Sequence, residues 1–156
     1  MKIHLLAIGN RMPSWINTGF QEYAKRMPAD YQLCLTEIPA LKRSKNADTQ
    51  RLLKQEGAQL LKARPAGSLL IALDVKGESW DTPQLAQRLK QWHDSACDIS
   101  LLVGGPEGLD PACLKATSIH WSLSALTLPH PLVRIIVAEQ FYRAWSMITH
   151  HPYHRQ

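Results

Sequence analysis

Short apolar runs alternate with longer amphipathic stretches along the chain, and this alternation constrains the fold more than any other feature. The runs are KIHLLAIG, YQLCLTEI, SLLIALD, DISLLVGG and HWSLSALTL, the last being a short strand that continues into a loop. SLLIALD and DISLLVGG are apolar without interruption, which is typical of strands buried on both faces of a parallel sheet. The stretches between the runs have apolar residues at helical spacing. The sequence therefore predicts an α/β fold with a mainly parallel sheet flanked by helices.

Prolines and polar caps indicate where the helices begin. Pro13, Pro83 and Pro131 suit the first turns of three helices, and Asn46 is predicted to cap the helix that follows it. We expect a loop at VKGES, after the SLLIALD strand. The helix from Pro131 is apolar around most of its circumference, so it needs cover on more than one side. A second subunit would provide such cover, and we therefore predict a homodimer.

Length and composition exclude several classes of protein. The 156 residues suit one domain, predicted over 1–156. No run approaches the ~18 consecutive apolar residues of a membrane span, and the first apolar run is interpreted as a strand rather than a signal peptide. The three cysteines form no CxxC motif, which favours reduced thiols and no zinc site. The net charge of +5 is compatible with an RNA-binding surface but does not establish one.

Ligands of parallel sheets bind beyond the carboxyl ends of the strands. Those ends fall at Leu73, at Gly104 and in the segment 123–131. IGNRMP lacks the dinucleotide-binding glycine pattern, and GGPEGLDP lacks the lysine of a phosphate-binding loop. Taken alone, GGPEGL is more typical of a tight turn and LSALTL of a core strand.

The segments LLVGGPEGL and WSLSALTLPHPLVRIIVAEQFYRAWSMITHHPYHR closely resemble the ribosomal RNA large subunit methyltransferase H family of the SPOUT superfamily. The likeness extends over essentially the whole chain through GNRMPSW, KNAD and WDTPQLA. One departure is ALKRSKNAD, where glycines would be expected near Leu41 and Ser44. The resemblance implies a C-terminal trefoil knot, a homodimer and S-adenosylmethionine as methyl donor. It also implies a cytoplasmic enzyme that methylates N3 of a pseudouridine in 23S rRNA, within the large subunit or the assembled ribosome.

The resemblance also implies a set of site residues, which can be divided by role. The predicted cofactor-binding residues are Leu73, Gly104, Gly105, Leu123, Ser124, Ala125, Leu126, Thr127 and Leu128. The candidates for assisting removal of the proton on N3 of the pseudouridine, an imide nitrogen, are His130, Arg143, His154 and Arg155. The predicted substrate-binding residues are Lys42, Arg43, Lys45, Tyr153, His154 and Arg155.

Several of these residues also have purely structural interpretations. His130 could cap or pack the last helix. Glu139 and Arg143, four residues apart, could form an ordinary intrahelical ion pair of ~0.3–0.5 kcal/mol. The lysines and arginine near position 43 could belong to a solvated loop.

The terminal stretch THHPYHRQ contains groups that bind bases, phosphates, protons and metals. No carboxylate or cysteine accompanies its histidines, so we predict no metal site. Pro152 is predicted to end the last helix and begin a short extended arm, whose Tyr153 and His154 could stack on an unpaired base. Arg155 could bind a phosphate or stabilise an imide anion. Three alternatives remain: an RNA-binding assembly factor without chemistry, a related enzyme acting on another RNA base, and a metal hydrolase.

Overall fold

In the computed structural model, which describes residues 1–155, the predicted alternation of strands and helices is present throughout. The strands are β1 (Lys2–Ile8), β2 (Gln32–Ile38), β3 (Leu69–Ser79), β4 (Ile99–Val103) and β5 (Ile119–Ser122). The helices are α1 (Ser14–Ala24), α2 (Thr49–Ala63), α3 (Thr82–Asp94), α4 (Pro111–Lys115) and α5 (His130–Ile148). Over the described residues, the five strands form one sheet in the order β2-β1-β4-β3-β5, and all neighbouring strands are parallel. The predicted α/β class is confirmed.

Each face of the sheet is buried against its own helices. Because side chains alternate along a strand, Leu5 of β1 belongs to the core beneath α1, α3 and α5, whereas Leu6 belongs to the core beneath α2 and α4. The central strand β4 is buried at every residue. This two-sided burial explains why the strand sequences are continuously apolar rather than alternating.

Helix α5 is covered on several sides within a single chain. It packs against α1 and α3 as well as the sheet, and a Cβ at Gly19 of α1 would lie 2.7 Å from Cδ1 of Ile135. No residue from Pro131 to Ile148 is fully exposed. Packing within one chain therefore covers most of the apolar surface of α5. The homodimer remains a prediction, and it needs support other than the exposed surface of this helix.

Two predicted boundaries were wrong. The segment VKGES is not a loop between elements but the second half of β3, which pairs again with β5 at Glu78 and Ser79 after a register shift beyond Leu73. The cap of α2 is Asp48, not Asn46, because the Asp48 carboxylate accepts a hydrogen bond from the Arg51 amide at 3.1 Å. Asp81 and Gln84 form a reciprocal capping box at the start of α3.

The predicted extended arm at the C-terminus was also wrong. Helix α5 ends at Ile148, before Pro152, and His150 adopts a positive φ of 56° that turns the chain. Pro152–Arg155 then form a 3₁₀ turn that packs back on α5. The reason is Tyr153, whose ring packs 4.7 Å from that of Tyr142, measured between centroids. Gln156, which belongs to the predicted tail, lies outside the described residues.

Candidate functional site

A cavity of about 670 Å³ lies at the carboxyl ends of β4 and β5, beside the middle of β3. Its lining includes Gly104 and Leu123, which directly follow β4 and β5, and Leu73, which lies within β3 where the pairing with β5 is interrupted. The three positions singled out in the sequence therefore meet at one place, although β3 continues beyond Leu73. The volume lies within the ~300–1,000 Å³ typical of small-molecule sites.

One wall of the cavity is the turn at Gly104–Gly108. The Gly108 amide donates a hydrogen bond to the Gly105 carbonyl at 3.0 Å, and Gly108 has a φ of 82°. A Cβ on Gly104 would overlap the Gly108 carbonyl group and lie 2.8 Å from the Leu109 nitrogen. GGPEGL therefore forms a tight turn, as its pattern suggests, and that turn is one wall of the cavity.

A second wall is the loop 123–129, between β5 and α5. Ser124 organises it: its hydroxyl accepts a hydrogen bond from the Leu126 amide at 3.0 Å, and its carbonyl accepts one from the Ser122 hydroxyl at 3.1 Å. Of the residues predicted to bind the cofactor, the structure places eight on the lining of the cavity: Leu73, Gly104, Gly105, Leu123, Ser124, Leu126, Thr127 and Leu128. Ala125 is exposed in the same loop and is not part of the lining.

The regular pairing of β3 with β5 is interrupted beside the cavity. The register shifts between Leu73 and Glu78, and Asp74, Val75 and Lys76 line the cavity. Gly77 permits the close approach, because a Cβ there would lie 2.6 Å from the His120 carbonyl carbon and oxygen. The sequence contained a signal for this feature in Gly77, since an isolated glycine in a strand often marks a bulge.

His130 begins α5 and lines the cavity, and its Nδ1 is buried without a hydrogen-bond partner among the described residues. Burial lowers the pKa of His130 below its ordinary value, and the positive charges of Arg134 and Arg43 lower it further. The imidazole is therefore neutral at pH 7. A neutral imidazole at the edge of a cavity can accept a proton.

Beneath His130, Arg134 is completely buried, which sequence patterning did not indicate. Its Nη1 donates to Oε2 of Glu37 at 2.6 Å, and its Nη2 donates to the carbonyls of Ile8 and Gly9 at 3.2 and 2.5 Å. The guanidinium therefore joins α5 to the carboxyl ends of β1 and β2. A buried charge requires such compensation.

Arg43 is placed differently from the lysines that flank it. Lys42 and Lys45 are exposed, whereas the Arg43 guanidinium forms ion pairs with Glu56 and Glu107, each at 2.6 Å. These hydrogen bonds raise the pKa of Arg43, that from Glu56 most, and lower the pKa of Glu107. The predicted basic stretch is therefore divided into two exposed lysines and one arginine that two carboxylates neutralise.

At the opposite end of α5, a cluster of aromatic and charged side chains fixes the terminal turn. The Tyr153 hydroxyl donates to Glu139 Oε1 at 3.1 Å, and the Arg143 guanidinium lies 4.9 Å from the centre of the Tyr153 ring. Arg143 also donates from Nε to Glu139 at 2.8 Å, so the intrahelical pair is present. Burial raises the pKa of Tyr153, which therefore remains protonated.

The residues predicted to assist proton removal thus form two groups rather than one. His130 and Arg143 are thirteen residues apart on one helix, which at 1.5 Å per residue separates their backbones by ~20 Å. His154 and Arg155 lie in the terminal turn, which Arg143 contacts through Tyr153, and none of these residues lines the cavity. Within one chain, the structure does not bring the tail to the cavity.

The structure of residues 1–155 also bears on metal binding, membrane insertion and disulfide formation. No group of three or more His, Cys, Asp or Glu side chains there could hold a metal ion. Over the same range, no helix has the length and apolar character to cross a membrane. The cysteines Cys34, Cys97 and Cys113 are free thiols.

The fold has known counterparts among solved structures. A probable methylase family protein from Haemophilus influenzae Rd KW20 is 17% identical, with a TM-score of 0.54 over 97% of this chain and 68% of that one. A putative methylase family protein from Neisseria gonorrhoeae is 13% identical, with a TM-score of 0.51 over 96% of this chain and 93% of that one. TrmJ from Z. mobilis ZM4 is 18% identical, with a TM-score of 0.50 over 92% and 69%. At these identities the likeness establishes the fold alone.

The sequence gives a more specific comparison. The family described as "Predicted SPOUT methyltransferase" matches residues 1–154. This match includes the segments at Leu73, Gly104 and Leu123 that line the cavity, the loop 123–129 and the whole of α5. The chain belongs to the SPOUT methyltransferase family.

Proposed function

We propose that this protein is a homodimeric methyltransferase that transfers a methyl group from S-adenosylmethionine to N3 of a pseudouridine in 23S rRNA. The substrate is the large ribosomal subunit or the assembled ribosome, in the cytoplasm. Residues 1–156 form one domain, whose C-terminal segment is threaded into a trefoil knot. One observation carries the proposal: the walls of the cavity are LLVGGPEGL and LSALTLPHP, the segments that most closely resemble the ribosomal RNA large subunit methyltransferase H family.

The residues that line the cavity suit S-adenosylmethionine. The absence of a side chain at Gly104 and Gly105 brings the backbone close to a ligand. Leu123, Leu126 and Leu128 supply apolar contacts, and the peptide groups of their loop can hydrogen-bond the edge of an adenine. The cofactor supplies an electrophilic methyl group when bound. The chain must then hold the acceptor nitrogen in line with that methyl, at a distance of about 3–3.5 Å.

The N3 of pseudouridine carries a proton that must leave as the nitrogen is methylated. His130 accepts this proton, since its pKa is lowered and its imidazole is neutral at pH 7. His154 and Arg155 bind the target nucleotide and stabilise its developing negative charge. Arg143 acts through its contacts with Glu139 and Tyr153, which hold the terminal turn in place.

Because the tail lies ~20 Å along α5 from His130, the tail of one subunit completes the cavity of its partner. This arrangement gives the homodimer a functional reason that does not depend on covering α5. The exposed Lys42 and Lys45 are in the loop that follows β2, whose carboxyl end lies at the same edge of the parallel sheet as those of β4 and β5.

Calorimetric titration with S-adenosylmethionine separates an enzyme from a non-catalytic RNA-binding factor. We expect one cofactor bound per chain without added metal. A chain that binds large ribosomal subunits but gives no heat with S-adenosylmethionine would instead be an assembly factor.

Replacing Lys42 and Lys45 with glutamine should weaken binding to ribosomes and reduce its salt dependence. Each phosphate contact contributes about 0.7–0.9 to the slope of log affinity against log salt concentration, so we expect the slope to fall by about 1.5. Arg43 is left intact because its charge is neutralised by Glu56 and Glu107. The matched control replaces Lys62 and Lys90, exposed lysines of α2 and α3, and should leave the slope unchanged. Equal slopes for both double variants would reject the phosphate-binding role.

Deleting residues 153–156 should reduce methylation at least about 100-fold while cofactor affinity stays unchanged. The deletion removes a base-stacking contact of ~1–3 kcal/mol and the charge-assisted hydrogen bonds of Arg155, of ~1.5–3 kcal/mol. Tyr153→Phe serves as the control, because it keeps the ring among Tyr142 and Arg143 and removes only the hydroxyl bond to Glu139. Normal methylation by the truncated chain would exclude the tail from the site.

The same deletion tests whether the tail acts across the dimer. Co-expressing the truncated chain with a chain whose cavity is disabled by Gly104→Ala produces mixed dimers. If the tail reaches the partner, one site in each mixed dimer has both an intact cavity and an intact tail, and methylation returns. If the tail serves its own chain, neither site is complete and the mixture stays inactive.

A further inference from the structure

A network of three charged side chains connects the loop 39–48 to the wall of the cavity. At its centre is Arg43, in the loop that follows β2. On one side is Glu56 of α2, which is 1% exposed, and on the other is Glu107, in the turn at Gly104–Gly108. These residues are not adjacent in sequence: Arg43 is 13 positions from Glu56 and 64 from Glu107.

The Arg43 guanidinium uses two of its edges for two different carboxylates. Toward Glu56, Nη1 and Nη2 donate to the two carboxylate oxygens at 2.6 and 3.0 Å. Toward Glu107, Nη2 donates to Oε2 at 2.6 Å, and Nε lies 3.2 Å from both oxygens. Such forked contacts fix orientation as well as distance, which a lysine ammonium would not do.

The two ends of the network differ in strength. Glu56 also accepts a hydrogen bond from the Leu41 amide at 3.0 Å, and its side chain is 2% exposed, so the loop is held firmly to α2. The Glu107 side chain is 31% exposed, and it is held through the turn that lines the cavity. The ion pair between Arg43 and Glu107 can therefore form and break while the buried Glu56 keeps its own ion pair with Arg43.

The network also adjoins the cavity directly. A Cβ at Gly105 would lie 3.5 Å from Nη2 of Arg43 and 3.7 Å from Oε2 of Glu56. Gly105, which lines the cavity, is therefore also a neighbour of the guanidinium. A ligand that orders the Gly104–Gly108 turn would also order Glu107, and through it the loop that carries Lys42 and Lys45.

We infer that Arg43 and Glu107 are positioning residues that couple occupancy of the cofactor cavity to the order of the RNA-binding loop 39–48. The inference rests on the proposed function for the identity of the cofactor. Binding of S-adenosylmethionine holds Glu107 against Arg43, and Arg43 holds the two lysines in place for the RNA backbone. Since coupling between two sites is reciprocal, bound RNA strengthens cofactor binding by the same factor.

Hydrogen exchange with and without S-adenosylmethionine, in the absence of RNA, tests this coupling. In the wild-type protein, the cofactor should slow exchange of the amides of residues 39–48 about fivefold or more, the lower end of typical coupling factors. At a cofactor concentration that saturates each variant, Glu107→Ala should lose this protection, and Glu107→Gln, which keeps an acceptor, should be intermediate. The matched control is Glu78→Ala, which removes an exposed ion pair with Arg88 and should retain full protection.

The outcomes separate this inference from the proposed function. Cofactor binding that does not protect residues 39–48, or protection that persists in Glu107→Ala, would overturn the coupling alone. Failure of the wild-type protein to bind S-adenosylmethionine would overturn the proposed function and the coupling with it. A melting temperature of Glu107→Ala equal to that of the wild type would show that faster exchange in the variant does not result from unfolding.

Discussion

Replacing Gly104 with alanine is expected to lower the affinity for S-adenosylmethionine at least about 100-fold while the sheet remains folded. The added Cβ would overlap the Gly108 carbonyl group and lie 2.8 Å from the Leu109 nitrogen. Both neighbours are backbone, so the turn can relieve the overlap only by moving as a whole. Its movement displaces the wall of the cavity, and a loss of about 2.7 kcal/mol in binding corresponds to the expected factor. Calorimetric titration measures it.

Gly67→Ala is the matched control for this substitution. Gly67 also needs a glycine, because its φ is 79°, but a Cβ there would meet nothing within 4 Å. It lies before β3, at the edge of the sheet opposite the cavity. Gly67→Ala should therefore lose about 1–2 kcal/mol of stability through its left-handed backbone conformation and bind the cofactor normally. If Gly104→Ala bound as tightly as Gly67→Ala, the turn would not be part of the cofactor site.

Arg134→Met should lower the free energy of unfolding by about 3–5 kcal/mol. Removing the guanidinium leaves the carbonyls of Ile8 and Gly9 without their donor, at about 1–3 kcal/mol each, and leaves Glu37, whose side chain is 30% exposed, without its partner. Methionine has nearly the volume of the lost side chain, so the effect isolates the charge and its hydrogen bonds. Urea unfolding at one fixed protein concentration measures the difference, since a dimer's stability depends on concentration.

Lys90→Met provides the comparison for Arg134→Met. Lys90 forms an exposed ion pair with Asp94 on α3, and solvent-exposed pairs of this kind contribute little to stability. A further variant, Arg134→Met with Glu37→Leu, should recover part of the lost stability, because it removes the uncompensated carboxylate. Equal destabilisation by Arg134→Met and Lys90→Met would mean that Arg134 does not hold α5 to the ends of β1 and β2.

The sequence predicted those parts of the fold that depend on neighbouring residues. Apolar runs located every strand, and Pro83 correctly marked the first turn of α3. The same rules placed Gly104 and Leu123 at strand ends, and the parallel order of the sheet brings them to one cavity with Leu73, although the strand predicted to end at Leu73 runs on to Ser79. The location of the cavity was therefore predictable from local pattern together with one general property of parallel sheets.

What the sequence did not predict depends on contacts between distant residues. Arg43 was grouped with Lys42 and Lys45 because the three are adjacent, but its partner Glu107 lies 64 positions away. Arg134 and Glu37 are 97 positions apart, and nothing local indicates that an arginine of α5 is buried. The tail was predicted as extended because Pro152 breaks helices, yet the packing of Tyr153 against Tyr142 decided its conformation.

Mass spectrometry of 23S rRNA tests the central claim most directly. Ribosomal RNA is compared from cells that lack this protein, cells that regain it, and cells that regain the Gly104→Ala variant. We predict that N3-methylpseudouridine is absent without the protein, returns with the wild-type chain and does not return with the variant. If the wild-type chain restores no N3-methylpseudouridine, or restores a methyl group on a transfer RNA or on another base instead, the proposed substrate is contradicted.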